Sequence, residues 1–230
     1  MSAGRLILWR HGRTAANAGF RLQGQIDIPL DEVGRWQART AAASLVARHE
    51  PTHIVSSDLS RARATAEHLA RAAGLEVTVD PQIRERSFGV WEGLTGDEIA
   101  AKWPDEFRAW READVPPGIG GESRAEVASR MGAAVRAHAD ALGEQDTLVV
   151  VSHGAAIALA VGELLEQPPE WRGFVGLLNG HWAELVPAHG AVRPRWRLIA
   201  FNSGPTDASR DWNAGPDVPS EEDVETRDPD

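Results

Sequence analysis

The chain has no cysteine, no tyrosine, only two methionines, and no apolar run near the roughly 20 residues that cross a bilayer. Without cysteine there is no disulfide, no thiolate metal site and no cysteine nucleophile. No histidine-rich cluster suggests a metal site, so no metal or other cofactor is expected. The first residues carry neither a basic region nor an extended apolar segment. The expectation is therefore a cytoplasmic protein with no membrane association.

Positive charge is also scarce overall, with 24 Lys and Arg against 34 Asp and Glu and a net charge of −10. The deficit is local. Residues 205–230 hold nine acids (Asp207, Asp211, Asp217, Glu221, Glu222, Asp223, Glu225, Asp228, Asp230) against Arg210 and Arg227, which accounts for −7 of the −10. The remaining body is nearly neutral. A locally cationic pocket is compatible with that balance, whereas a broad nucleic-acid face is not, and no nucleic-acid partner is expected.

Short apolar runs alternate with helical patterns. Residues 5–9, 52–57, 75–80 and 146–152 read as strands, with two more near 180–186 and 194–201. Helices are expected over 31–49, opened by Asp31 as N-cap, over 59–74, closed by Gly74, over 122–142, and after residue 154. One or two short helices fit 95–112. This alternation predicts an α/β fold, a three-layer α/β/α sandwich with a mostly parallel central sheet. The Pro- and Gly-rich stretch 113–121 completes an inserted helical lid over 95–121. The folded domain is expected to span 1–204, followed by a disordered acidic tail, 205–230.

Ligands of open α/β sheets sit beyond the carboxyl ends of the strands. Two strands end alike, one in Arg10-His11-Gly12 and one in His153-Gly154. A third precedes Asp58-Leu59-Ser60-Arg61, and Glu85 follows the strand at 75–80. Two arginines, two histidines and a carboxylate thus converge on one crevice. Guanidinium forks match the oxygens of a phosphate monoester, and their charge favours a neutral, nucleophilic His11. Attack on phosphorus gives a phosphohistidine, with Glu85 protonating the leaving alkoxide and later activating water, and His153 stabilising the equatorial oxygens. The other histidines, His49, His53, His68, His138, His181 and His189, have no such setting and read as structural or surface residues.

The segments LWRHGRTAAN, SSDLSRARATAE, IRERSFGVWEG and VVVSHGAAI resemble, in that order, the four signature segments of the histidine phosphatase superfamily, the phosphoglycerate mutase-like clan. The resemblance spans roughly residues 5–160. It implies that His11 is the phosphorylated nucleophile, that Arg10, Arg61 and His153 complete the phosphate pocket, and that Glu85 is the proton donor. It also puts Asn17, Gln23, Gly24 and Gly154 among the substrate-binding residues. Trp9 departs from the small aliphatic residue usual at its place.

The long basic insertion that retains phosphoglycerate in the clan's mutases is missing, and Lys102, Arg108 and Arg111 are balanced by Asp97, Glu98, Asp105, Glu106 and Glu112. A phosphatase acting on a small phosphate monoester is the expected function. RLQGQIDIPLDEVGRWQA, AWREADVPPGIGGES and the late RWRL are similar to the actinobacterial glucosyl-3-phosphoglycerate phosphatase family, which implies that substrate and a homodimer. The alternatives are a broad-specificity phosphatase, a mutase, and a binding module for phosphorylated ligands. Trp103 and Trp110, on the lid, either stack on the sugar or pack its helices together.

Overall fold

Alternating side chains of two central strands build the sheet of the computed structural model, which describes residues 2–112, 114, 118–205 and 211–216. In β1 (Arg5–Arg10), Leu6 and Leu8 enter one hydrophobic core while Ile7 and Trp9 enter the other. In β4 (Thr147–Ser152), which is buried along its whole length, Leu148 and Val150 share the first core and Val149 and Val151 the second. This is the period-two pattern of a strand covered on both faces.

The remaining strands are β2 (His53–Ser56), β3 (Val77–Val79), β5 (Trp182–Pro187) and β6 (Trp196–Ser203), and the six lie in the order β3-β2-β4-β1-β5-β6. The first four in that order are mutually parallel, while β5 and β6 are antiparallel additions. Helices α2 (Glu32–His49) and α3 (Ser60–Ala73) cover the face carrying Ile7 and Trp9. Helices α6 (Arg124–Asp140) and α7 (Gly154–Leu164) cover the other. The fold is thus the expected α/β/α sandwich.

Local chemistry sets the helix ends. The Asp31 carboxylate accepts from the Gly34 amide at 2.7 Å to open α2, and Gly74 closes α3 in the left-handed region at φ 69°. A four-residue helix, α1 (Ala15–Ala18), unanticipated from the sequence, is capped by Thr14 and Asn17. Among the described residues, no helix is long and apolar enough to cross a membrane.

Between β3 and α6, helices α4 (Gly96–Lys102) and α5 (Pro104–Glu112) rest on a third, separate core of Phe88, Trp91, Ile99 and Ile119. Trp110 lies edge-on to Phe88 and Trp91 and stacks on Phe107, with ring centroids 6.3, 5.9 and 5.7 Å away. Trp103 is packed against the same core. Both indoles thus do the packing job. Ala113 and residues 115–117 of the predicted loop lie outside the described residues.

The expectation of disorder from residue 205 onward needs correction for residues 211–216. Trp212 is only 7 % exposed and packs against Trp36 and His181 at centroid distances of 4.7 and 5.7 Å. An acidic average over the whole segment hides a single large aromatic, which is enough to dock the chain locally. Residues 206–210 and 217–230 lie outside the described residues.

Candidate active site

β1 and β4 are parallel neighbours with Arg10 opposite Ser152, so His11 and His153 leave the same sheet edge side by side. Their ring centroids are 5.1 Å apart at 62°. The chain after β1 returns over one face and the chain after β4 over the other. The two connections part at this edge and leave a crevice, the usual ligand position of an α/β sheet. A cavity of about 460 Å³ opens there, lined by eight of the nine anticipated residues: Arg10, His11, Asn17, Gln23, Gly24, Arg61, Glu85 and Gly154. His153, the ninth, is fully buried and does not line the cavity; it meets the site through the His11 ring and through Nε2, 3.0 Å from Ser57 Oγ.

Why Gly12 follows His11 is a matter of space. A Cβ on Gly12 would lie 2.2 Å from the Gly34 carbonyl oxygen, and one on Gly34 would lie 1.9 Å from that of Arg13. Two glycines therefore let α2 approach the loop that carries the imidazole. Trp9 is accommodated because its indole Nε1 donates to the Gly180 carbonyl at 3.0 Å.

Burial, reinforced by the charges of Arg61 and Arg10, pushes the His11 pKa well below its ordinary value, against a smaller opposing effect of its bond to Gly12. The ring is therefore neutral. Its Nδ1 lies 2.7 Å from the Gly12 carbonyl, which can only accept, so Nδ1 carries the hydrogen and Nε2 keeps a lone pair. His153 is pushed the same way by burial, then by Arg61, His11, Arg10 and Arg130. Burial also lowers Arg10 to about 10, with Glu85 opposing the shift and Arg61 adding to it, which still leaves a cation at neutral pH. For Arg61 the downward effect of burial is opposed by Glu85, Asp27 and Glu92.

Arg61 also shapes the cavity wall, since its two terminal nitrogens donate to the Ile26 and Gly24 carbonyls at 2.8 Å each. Gly24 sits at φ 53°, and a Cβ there would meet Glu92 at 2.1 Å. Arg10 donates a terminal nitrogen to the Leu177 carbonyl. The Nε atoms of Arg10 and Arg61 and Nδ1 of His153 are buried without a partner among the described residues.

Glu85 faces the N-terminus of α7. Its Oε1 accepts from the Arg86 and Ala156 amides at 2.8 and 2.9 Å, and its Oε2 from Ala155 at 3.2 Å. Arg130 on α6 holds the preceding backbone through the Gln82, Arg84 and Glu85 carbonyls while gripping Glu122 with two nitrogens at 2.7 and 2.8 Å. Asn17 commits its Oδ1 to Thr14 and Asn179, which leaves its Nδ2 as the end available to a ligand. Gln23 is 8 % exposed, and its Oε1 lacks a partner among the described residues.

The sequence reading missed a whole wall. Trp171, Phe174, Val175 and Leu177 line the cavity, together with Arg21 and Arg124, whereas no residue of 95–112 does. Of the two readings of Trp103 and Trp110, the structure supports packing within the lid over stacking on a ligand in this cavity. Residues 165–181 form a long connection between α7 and β5 with no regular element, and that length was the available signal.

A buried neutral imidazole beside two guanidinium groups, at the carboxyl edge of a parallel sheet, suits phosphoryl transfer. Residues 6–200 match the family model of the histidine phosphatase superfamily (branch 1). The chain belongs to this superfamily and is a phosphoric monoester hydrolase. It is 40 % identical over 215 residues to glucosyl-3-phosphoglycerate phosphatase of Mycobacterium tuberculosis, covering 88 % of this chain and 96 % of the relative. A solved structure of mycobacterial glucosyl-3-phosphoglycerate phosphatase complexed with VO3 superposes with a TM-score of 0.79 at 39 % identity, over 87 % of this chain and 99 % of that one. Similarity extends to a probable phosphoglycerate mutase of Photorhabdus laumondii, 39 % identical over 168 residues, 71 % of this chain and 75 % of the relative.

Proposed function

We propose that the chain hydrolyses glucosyl-3-phosphoglycerate through a phosphohistidine on His11. The observation that carries the chemistry is the neutral His11, its Nδ1 hydrogen committed to Gly12 and its Nε2 lone pair left for phosphorus. Arg10 and Arg61 hold the phosphoryl oxygens, and His153 supports them from behind. As the Nε2–P bond forms, the bond from phosphorus to the substrate oxygen breaks and Glu85 gives that oxygen a proton. Oε2 is the atom that carries it, because it takes one contact at 3.2 Å while Oε1 takes two shorter ones. Glu85 then removes a proton from water as the water oxygen attacks phosphorus, which releases inorganic phosphate and restores His11.

The similarity to the glucosyl-3-phosphoglycerate phosphatases supports the substrate, and so does the size of the cavity, which exceeds the needs of a phosphate group. Asn17, Gln23, Gly24 and Gly154 complete its floor, and Trp171 offers an indole face to the sugar. In this reading residues 1–204 are the catalytic domain and 95–121 is an insertion whose described residues lie outside the cavity lining. The enzyme works in the cytoplasm as a homodimer, and light scattering on the purified chain tests the dimer.

Comparison of kcat/KM for glucosyl-3-phosphoglycerate and 3-phosphoglycerate tests the substrate. The glucosylated ester should be strongly preferred, and Trp171→Ala should cost it about fivefold, the loss of one stacking contact of about 1 kcal/mol, with 3-phosphoglycerate nearly unaffected. Equal hydrolysis of the two esters by the wild type would overturn the substrate assignment. The similarity to a mutase favours a second reading, transfer of the phosphoryl group back to the product, and appearance of 2-phosphoglycerate from 3-phosphoglycerate would reveal it.

A further inference from the structure

The orientation of His11 depends on one acceptor, the Gly12 carbonyl, and that carbonyl is itself held by residues remote in sequence. Asn179 Nδ2 donates to the His11 carbonyl at 3.1 Å and the Gly12 carbonyl at 3.4 Å, and the Gly180 amide donates to the Arg10 and His11 carbonyls at 3.1 and 3.2 Å. Residues 179–180 are thus the mould in which the Arg10–Gly12 backbone is cast. The mould is closed by Trp212. Its Nε1 donates to the Asn179 carbonyl at 2.6 Å, and its ring lies so near Gly180, at φ 74°, that a Cβ there would be 3.0 Å away.

A second path starts at the same residue. The Trp212 carbonyl accepts from Gln37 Nε2 at 2.9 Å, and Gln37 Oε1 accepts from the Arg13 amide at 2.8 Å. Gln37 is fully buried, so this use of both ends of its amide explains a polar side chain in that position. Arg13 in turn reaches the Asn213 carbonyl and, at 2.8 Å, Asp31. The strap 211–216 therefore grips the nucleophile loop from both ends, through Asn179 on one side and Gln37 on the other. It lies beyond residue 200, where the superfamily match ends.

We infer that Trp212 is a positioning residue for His11, acting through Asn179 and Gln37 to hold the Gly12 carbonyl against the imidazole. The inference rests on the reading of His11 as nucleophile. Loss of the strap leaves the guanidinium groups of the pocket in place but frees the Gly12 carbonyl, so the ring samples orientations from which Nε2 cannot attack.

The full-length chain carrying Trp212→Ala or Trp212→Phe tests this, with p-nitrophenyl phosphate as substrate and activity normalised to the folded fraction. Trp212→Ala should lower kcat about tenfold or more while KM changes less than twofold. Trp212→Phe keeps a ring in place but loses the Nε1 donor, and it should fall between; if the alanine variant does not fold, this variant carries the test. Nitrogen NMR of the His11 ring at neutral pH should show a single tautomer protonated on Nδ1 in the wild type and an averaged signal in the variants. Wild-type kcat in the folded variants, or a loss of thermal stability alone with the tautomer intact, would overturn the inference. Retained phosphohistidine formation in His11→Ala would overturn the nucleophile reading instead, and the tautomer measurement, which needs no turnover, keeps the two failures apart.

Discussion

His11 and His153 are buried as neutral rings, and this leaves a mark on stability as well as on catalysis. Each titrates near pH 6.5 in the unfolded chain, but burial first, and neighbouring positive charge second, hold both folded pKa values well below that. Below about pH 6.5 the unfolded state therefore binds two protons that the folded state refuses. Stability is complete above that pH and falls as pH drops, approaching about 2.7 kcal/mol per pH unit for the pair. Urea unfolding between pH 7.5 and 5 should show this decline, and replacing both histidines by asparagine should flatten it. Glu85 has a different signature. As a proton donor it matters most for a poor leaving group, so Glu85→Gln should slow an alkyl phosphate far more than p-nitrophenyl phosphate, and uniform slowing would indicate a holding role. At this scale the sequence was legible where chemistry dictates residue type: Arg10, His11, Arg61 and Glu85 each follow or adjoin a strand end, and each lines the cavity. Trp171 was not legible, because no periodicity marks a residue in an irregular connection. Trp103 and Trp110 were ambiguous because an indole on a short helix has the same pattern whether it packs or binds.

Helices and strands matter here for how closely they approach one another. Gly34→Ala places a methyl against the Arg13 backbone, which has no flexible end to yield, so a loss of about 1–3 kcal/mol in denaturant unfolding is expected, with reduced turnover because the shifted loop carries His11. Gly74→Ala is its counterpart: nothing lies within 4 Å of a Cβ there, so only the left-handed φ of 69° is strained and activity should survive. Most elements could be read from capping residues and periodicity, and the long helices fall within a few residues of expectation. The direction of β5 and β6 could not. Alternation of side chains is identical in parallel and antiparallel strands, and only the short connection between β5 and β6 hints at the reversal. The docked strap was hidden for another reason: Trp212 is one residue in a segment whose composition argues for disorder.

Over the whole molecule, a net charge of −10 coexists with a pocket rich in guanidinium groups, and an anion bound there should stabilise the fold. Inorganic phosphate at a hundredfold excess over its Kd should add about 2.7 kcal/mol, visible as a rise in Tm, and Arg61→Ala should lose most of that rise. The sheet order also bears on how the chain comes to be folded. β4 is completed only at Ser152, yet it lies between β2 and β1, both of which end by residue 56. Until it emerges and inserts, β1 and β2 have no common partner, and Ile7, Trp9 and Ile54 lack the strand that buries their shared flank. Because β4 also delivers His153, a growing chain that has not yet reached residue 153 lacks one of the two histidines of the site. The slow step of refolding should be this insertion, with regained turnover tracking the burial of tryptophan fluorescence rather than the earlier return of helical signal.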